Sequence, residues 1–262
     1  MSTIPDYLEH PVNIDQQTVR ARQLAALNAG LDRCTRCATV VRGYRHVPGG
    51  GATDQPEIML VFINPTVRNI SAHADWTGPR FPFAGKPKLW QILAEAGFVS
   101  ADLPHEITRL GPTPPMVERL VAAAQTARLY LTNAVKCVDD GSNLPTADRV
   151  TVSLPLLQTE IALVQPRLIV TLGLIPFRAL TGLSVRLSDQ LWDADHGQIN
   201  LYPSQPIAGR SYPVFPCYFP TGRGNPVAAA RMLTALHRFL REGIPDAHSP
   251  DRLDDLPGTK GT

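Results

Sequence analysis

The chain lacks any apolar run close to the roughly 20 residues that a membrane-spanning helix needs. Its first residues also lack the apolar core of a secretory signal peptide, so we expect a cytoplasmic protein that does not contact a membrane. Cysteine is scarce as well, with 4 among 262 residues. In a reducing compartment such cysteines serve as thiols or metal ligands more often than as disulfides.

Excess charge is nearly absent. The net charge is +2, because 25 Lys and Arg residues are offset by 23 Asp and Glu residues. This balance does not by itself indicate a nucleic-acid-binding protein, so any DNA-binding surface has to be a local patch.

The interior of the sequence also lacks a long polar linker. With 44% hydrophobic residues the chain can bury one sizeable core, and we expect a monomer with a single domain over residues 31–242. An N-terminal arm and helix, residues 1–30, precede this domain. A tail rich in Pro, Gly and Asp, residues 243–262, follows it and is expected to be disordered.

Four apolar runs predict strands, at residues 57–63, 128–133, 167–172 and 212–219. The first is apolar throughout, which is typical of a strand buried on both faces of a parallel sheet. Each run is followed by a loop and a segment of helical periodicity. These units predict an α/β fold, a three-layer α/β/α sandwich with a central four-stranded parallel sheet. Residues 98–116 and 182–211 are rich in turn residues and are predicted to be irregular.

A long loop, residues 64–86, separates the first strand from its helix. It is about twice the usual length for such a connection, and long ordered loops in compact domains are commonly functional. Several Pro and Gly residues restrict its backbone. Ligands of open parallel sheets bind outside the carboxyl ends of the strands, so we predict a substrate site at this loop.

Short motifs occur before the first strand and at the strand ends. In chain order they are Cys34-x-x-Cys37, Pro82-Phe83-Ala84-Gly85, Asn133-Ala-Val-Lys-Cys137, Leu172-Gly173 and Phe219-Pro220-Thr221. Together they resemble the motifs of the uracil-DNA glycosylase superfamily, most of all its iron–sulfur branch. The resemblance covers about residues 31–240 and implies the same α/β/α fold.

Several positions depart from that branch. The first strand ends in Phe62-Ile-Asn-Pro-Thr66, which looks closer to the first motif of the mismatch-specific thymine/uracil glycosylases. The resemblance then implies that Asn64 replaces the water-activating acid. Phe219 stands where the branch has the histidine that binds the base carbonyl, and Ser153 stands at its fourth cluster cysteine.

The resemblance implies roles in substrate binding. Phe83 stacks on a base flipped out of the DNA, and Asn133 hydrogen-bonds the edge of that base, because a carboxamide offers both a donor and an acceptor. Ile63 and Phe219 form the wall of the base pocket. Without the family, Phe83 is equally well explained as a core residue and Asn133 as a turn or cap residue.

The catalytic candidates are Asn64 and Asp75. Asn64 would position the attacking water, but a carboxamide is not a strong base, so turnover is slow unless Asp75 on the same loop takes that role. The ordinary alternatives are that Asn64 opens a turn before Pro65 and that Asp75 is solvated.

Five residues are predicted to contact DNA: Arg80, Lys86, Thr221, Arg223 and Asn225. Arg223 and Asn225, with the backbone amides of residues 222–224, would hold a phosphate. The alternative for Lys86 is that it only forms part of the solvated start of a helix and does not contact DNA.

The leading hypothesis is a DNA glycosylase that flips a damaged or modified base and hydrolyses its N-glycosidic bond, leaving an abasic site for repair. One alternative is a DNA-binding member of the same fold with impaired catalysis. Another is a glycosylase for a modified base in phage DNA, acting in defence. The residue changes at Ile63 and Phe219 alter the wall that fits uracil, so uracil is not assured as the substrate.

The cysteines leave the metal content open. Cys34, Cys37 and Cys137 match three ligands of the branch's iron–sulfur cluster, but Ser153 offers a hydroxyl, which is a poor ligand for soft iron. We expect the chemistry to need no cofactor and favour a metal-free site over a 4Fe-4S cluster. A zinc site completed by His46 is the remaining alternative.

Anaerobic purification followed by metal analysis and a visible spectrum tests this expectation. We expect colourless protein without stoichiometric iron, because a missing ligand removes binding energy from the cluster. Brown protein with about four irons per chain would contradict it. Stoichiometric zinc would instead support the alternative with His46.

Overall fold

The computed structural model describes residues 14–34, 41–140, 144–222 and 224–242. Its helices are α1 (Ile14–Gly30), α2 (Pro87–Glu95), α3 (Leu103–Leu110), α4 (Pro114–Thr126), α5 (Ala147–Val164), α6 (Leu174–Thr181), α7 (Leu187–Asp195) and α8 (Pro226–Glu242). Its strands are β1 (Gly50–Gly51), β2 (Ile58–Phe62), β3 (Leu129–Asn133), β4 (Leu168–Leu172), β5 (Tyr202–Pro203) and β6 (Pro213–Cys217).

The strands form one sheet in the order β1-β3-β2-β4-β6-β5. The inner strands β3, β2, β4 and β6 are parallel to one another, which confirms the predicted α/β fold with a four-stranded parallel centre. Antiparallel strands β1 and β5 extend the sheet at its two edges and were not predicted. Each has only two residues, too few to show a periodic pattern.

Helices cover both faces of the sheet. On β2, Ile58, Leu60 and Phe62 pack with residues of α2, α3, α4, α7 and α8, whereas Met59 and Val61 pack with residues of α1, α5 and α6. Every residue of β2, β3 and β4 is buried. A strand that faces helices on both sides buries nearly every side chain, which explains why these runs are mostly apolar. The few polar residues that they contain, such as Thr132 and Asn133 of β3, are buried as well.

Two helices lie in segments that were predicted to be irregular. α3 has a proline in its first turn and buries Leu103 and Ile107. α7 buries Gln190 and Ala194. Both helices are short, so their few buried positions do not form a recognisable apolar stripe among the turn residues. The prediction of irregular structure is therefore wrong for these two stretches.

The first residues of α2 and α4 lie at the carboxyl edge of the sheet. α2 follows the end of β2 through the long loop, and α4 leads into the start of β3 and packs along that strand. Each helix therefore returns across the sheet from the edge at which the parallel strands end. The long loop reaches the same place, because a Cβ added at Gly78 would lie 2.7 Å from Cβ of Pro114.

A buried charge network fastens the end of β3 to α5. Lys136 donates hydrogen bonds to Glu160 and Thr132, and Glu160 accepts further bonds of 2.8 Å from both Tyr130 and Thr132. None of these four residues is more than 3% exposed. Burial lowers the pKa of Lys136, and the Glu160 carboxylate opposes this shift. Gly49 packs on the network so closely that a Cβ there would collide with Glu160 and Tyr130.

We expect Lys136→Met to reduce the free energy of unfolding by about 3–5 kcal/mol, because it leaves the Glu160 carboxylate buried without its cation. Chemical denaturation monitored by circular dichroism measures the change. The double variant Lys136→Met/Glu160→Leu serves as the control and should recover much of the loss, since it removes both charges. A double variant as unstable as the single one would show that the ion pair is not the cause.

Within the described ranges, no helix combines the length and apolarity required to cross a bilayer. Residues 1–13 of the predicted N-terminal arm and the whole predicted tail, residues 243–262, lie outside those ranges. The division of the chain into an arm, one domain and a tail therefore remains a prediction.

Candidate functional site at the strand ends

Residues from four strand ends and the following turns meet at the carboxyl edge of the sheet. In-register pairing places Phe62 of β2 opposite Asn133 of β3. Gly173 follows β4 with a φ of 98°, and a Cβ added there would lie 3.2 Å from Cδ1 of Ile63 and 3.9 Å from Cβ of Phe219. The structure thus brings the predicted substrate-binding residues Ile63, Asn133 and Phe219 to one edge.

Phe83 packs into a group of aromatic rings at this edge. Its ring centroid lies 4.1 Å from that of Phe62 and 5.9 Å from that of Phe219. Phe83 has a φ of 60°, a left-handed conformation that is unfavourable for a side chain of this size. Such strain is concentrated at functional sites, and here it orients a half-buried ring against Phe62.

Asn133 carries an unpaired carboxamide at the same place. Side chains alternate along β3, and Leu129 and Leu131 pack in the same cluster as Phe62, so Asn133 also projects to that face. Its side chain is 1% exposed, and neither Nδ2 nor Oδ1 has a hydrogen-bond partner among the described residues. Buried polar groups are nearly always paired. A residue that caps a helix or closes a turn makes side-chain hydrogen bonds to the backbone, and this amide makes none.

The long loop is held by side-chain hydrogen bonds that the sequence analysis missed. Asn69 donates from Nδ2 to the Phe81 carbonyl at 2.9 Å and accepts from the Ser71 backbone N–H at 3.0 Å. The Phe81 N–H donates to Oγ of Ser71 at 3.0 Å. Phe81 comes two residues before Phe83, so these bonds hold the backbone that carries the strained ring. An Asn followed two residues later by Ser is the sequence signal for this turn.

The two catalytic candidates have different environments. Asn64 is half-buried beside Ile63 at the end of β2, and its Nδ2 donates to the Pro65 carbonyl at 3.1 Å. The Asp75 side chain is 92% exposed, and its Oδ2 lies 3.6 Å from Nδ1 of His73. The structure therefore keeps Asn64 at the strand end and leaves Asp75 in solvent, in line with the ordinary alternative for Asp75.

Arg80, predicted to contact DNA, is occupied by protein groups. It donates to Oδ2 of Asp32 at 2.9 Å and to the His46 carbonyl at 2.8 Å, and only 15% of its side chain is exposed. A guanidinium held in this way has few donors left for a phosphate. Its geometry favours a structural role in place of the predicted DNA contact.

Lys86, another predicted DNA contact, is half-buried immediately before α2. Burial lowers its pKa, and the nearby Arg68 guanidinium lowers it further. Arg68 is exposed, and the sequence analysis did not select it. A Cβ built at Gly85, the residue before Lys86, would lie 3.6 Å from the Arg68 carbonyl oxygen, so the two cationic residues are neighbours in space, an arrangement that suits a bound phosphate.

The loop after β6 contains the remaining DNA-binding candidates. Thr221 accepts a backbone hydrogen bond from Gly224 at 3.0 Å, which forms a tight turn. Asn225 caps α8, because its Oδ1 accepts from the Ala228 N–H at 3.0 Å. Arg223 lies outside the described residues. Thr221 and Asn225 are thus placed directly after Phe219, and phosphate binding by this loop remains a prediction.

The described cysteines do not form a metal site. Cys34 is a half-buried free thiol, whereas Cys137 is buried and disulfide-bonded. Cys37 lies outside the described residues, which contain no group of three or more His, Cys, Asp or Glu residues that could hold a metal. Ser153 is 6% exposed in α5 and supplies a hydroxyl. This donor set does not fit a four-cysteine cluster, so we assign no chemistry to one, and the metal content remains a prediction.

His46 and Cys217 are two further residues whose side chains can bind metals. His46 is 5% exposed, its Nε2 has no hydrogen-bond partner among the described residues, and burial lowers its pKa. Cys217 is fully buried in β6, and burial raises the pKa of its thiol to about 12. A thiol that stays protonated at neutral pH is not a nucleophile, and Cys217 serves as a packing residue in β6.

Comparison with known proteins agrees with this architecture. The family model of the uracil DNA glycosylase superfamily matches residues 48–237. This range includes all six strands and every strand-end residue described above. The chain belongs to this superfamily, which confirms the resemblance found in the sequence.

One similar protein of known activity is the Type-4 uracil-DNA glycosylase of Pyrobaculum aerophilum. It is 37% identical to this chain over 65 residues, which are 25% of this chain and 33% of that protein. The match thus spans about a third of the relative's length.

We expect Asn133→Ala to weaken base selection and yet to leave the protein as stable as the wild type, or more stable. The change removes an unpaired buried amide whose desolvation costs about 1–3 kcal/mol. It also removes an edge contact to the base that is worth roughly 1–3 kcal/mol. Thermal unfolding and excision rates on different bases measure the two effects.

Phe83→Ala provides the comparison, because it removes the stacking ring and leaves the amide in place. It should also weaken base selection. If both variants kept the substrate preference of the wild type, the pocket would lie elsewhere. If Asn133→Ala clearly destabilised the protein, its amide would be a structural group.

Proposed function

We propose that this protein is a DNA glycosylase, which extrudes one nucleotide from DNA and hydrolyses the bond between its base and sugar. The observation that carries the proposal is the buried, unpaired amide of Asn133 on the face against which Phe83 packs. A flipped base supplies what both groups need, a flat face for the ring and a polar edge for the amide. Membership of the uracil DNA glycosylase superfamily supports DNA as the substrate.

The proposed mechanism relies on binding and positioning. Base binding by Phe83 and Asn133 holds the extruded nucleotide at the strand ends. Hydrogen bonds to the base edge strengthen as negative charge develops on the leaving base, and they lower the barrier for that reason. Asn64, next to Ile63, holds the attacking water near the sugar. Because a carboxamide accepts a hydrogen bond but does not take up a proton readily, we expect slow turnover.

The wall of the pocket bears on which base is removed. Ile63 is 8% exposed and Phe219 is half-buried, so both present apolar surface, and Phe219 does so where a histidine donor to the base carbonyl would otherwise stand. When a bulkier or modified base binds, an apolar wall has no polar group that loses a hydrogen-bond partner. Such a wall therefore does not exclude the base in that way. We therefore include modified cytosines and hypoxanthine with uracil among the candidate substrates. Repair and defence against phage DNA are both compatible with such a range.

A second candidate function is specific DNA binding without efficient catalysis. It is favoured by the exposure of Asp75 together with the carboxamide at Asn64, because these two positions provide no shielded carboxylate to activate water. In this case the protein would recognise an altered base and hold it. Single-turnover kinetics distinguish this function from slow glycosylase activity.

The direct test is incubation with oligonucleotides that carry uracil, thymine mismatches, hypoxanthine or modified cytosines, followed by alkali cleavage of abasic sites. We expect at least one of these bases to be released under single-turnover conditions. Tight, base-dependent binding without any release would favour the second function. Absence of both release and base-dependent binding would contradict the proposal.

Asn64→Ala tests the role of the water-positioning residue. We expect it to remove most base release, at least tenfold, while DNA binding stays nearly intact, because such a residue acts mainly in the transition state. Asp75→Ala is the matched control on the same loop and should keep close to the wild-type rate. Unchanged release by Asn64→Ala would refute the role given to Asn64.

A further inference from the structure

A cleft opens beside the candidate site at the strand ends. It has a volume of about 230 Å³ and lies between α2, α3 and α4. Its walls include Lys86, Trp90, Ile107, Pro112, Met116 and Leu120. Apart from Lys86 these side chains are apolar or aromatic, so the cleft suits a flat, mostly apolar group with a negative charge at its mouth.

The position of this cleft relates it to the proposed DNA-binding edge. Its lining begins at Gly85, two residues after Phe83, and continues into the first residues of α2. On the other side it includes Met116 in the first turn of α4. Because the first turns of α2 and α4 both lie at the carboxyl edge of the sheet, the cleft and the base pocket share that edge.

The mouth of the cleft is positively charged. Lys86 contributes to the lining, and Arg68 lies beside it, because a Cβ built at the lining residue Gly85 would lie 3.6 Å from the Arg68 carbonyl oxygen. The first turn of α2, a nine-residue helix, begins at Pro87 and adds the partial positive charge of a helix N-terminus. A phosphate diester would neutralise these charges, whereas a neutral or cationic ligand would not.

The wall contains one unpaired donor. Trp90 is fully buried, and its indole Nε1–H has no acceptor among the described residues. Buried indole N–H groups usually have a partner. An acceptor atom on a bound group, such as a ring nitrogen or carbonyl of a nucleobase, would pair with this donor if the wall adjusts by a small movement.

We infer that this cleft is a second nucleotide-binding site, which takes the base of a nucleotide that flanks the extruded one in the same DNA strand. The inference rests on the proposed function, because it needs DNA at this edge. The flanking phosphate lies against Lys86 and Arg68, and the base enters the cleft above the buried side chains of Trp90 and Met116. The affinity for DNA should therefore depend on the presence of a flanking base, which the protein does not remove.

The test uses a set of duplexes in which one flanking nucleotide at a time is replaced by an abasic analogue, while the target base stays unchanged. Affinity is measured by fluorescence anisotropy. For the wild type we expect one flanking position at which loss of the base weakens binding about tenfold, the range expected for a stacked base. Equal affinity for every member of the set would overturn the inference.

Two variants connect the effect to the cleft. Met116→Trp fills the cleft, so the variant should bind every duplex of the set with the same affinity. That affinity should equal the one that the wild type shows for its most weakly bound duplex. Trp90→Phe keeps an aromatic wall but removes the N–H donor, and should reduce the position dependence. Lys88→Ala is the control, because Lys88 is exposed on α2 outside the lining and should show the full wild-type dependence. Full dependence in Met116→Trp would overturn the assignment to this cleft.

The outcomes also separate this inference from the proposed function. Base-dependent release or binding at the target nucleotide with no effect of the flanking positions contradicts only the second site. Absence of any dependence on the target base contradicts the glycosylase assignment and the second site together. Circular dichroism of each variant identifies a loss that is caused by unfolding.

Discussion

The in-register pairing of the parallel strands is the constraint on which the site depends. β2 pairs with β3 on one side and with β4 on the other, and β4 pairs with β6, so the chain leaves all four parallel strands at one edge. Residues that are far apart in sequence, such as Ile63, Asn133 and Phe219, are neighbours only for this reason. A shift of one residue in the register of β3 would turn the Asn133 side chain to the opposite face and place it among the residues that pack on α5.

The two faces of β3 show how stability and function are divided. On the α5 face the polar groups are fully paired, because Tyr130 and Thr132 share the Glu160 carboxylate with Lys136. On the other face, one residue later, Asn133 has no partner. The paired network holds the end of the strand, and the unpaired amide is the group that we propose binds the base. Proteins commonly depart from complete pairing at the residues that bind substrate.

Most of the fold was predictable from the sequence, and the site only in part. Long apolar runs and helical stripes identified the parallel centre and its major helices. The short elements α3, α7, β1 and β5 were missed, because so few residues do not establish a period. For the site, the motif order selected Phe83 and Asn133, and their roles remain a prediction. The ion pair of Arg80 with Asp32 and the exposure of Asp75 depend on contacts between distant segments.

The sequence by itself determined the α/β class, the superfamily and the identity of the residues at the strand ends, since these follow from local patterns and motif order. Only the tertiary structure decided which polar groups are satisfied. Whether Asn133 or Trp90 has a hydrogen-bond partner, and whether a cation is paired or free, depends on atoms brought together by the packing of helices on the sheet. Pairing of this kind has no local signature, because its partners are distant in sequence and are selected by the fold as a whole.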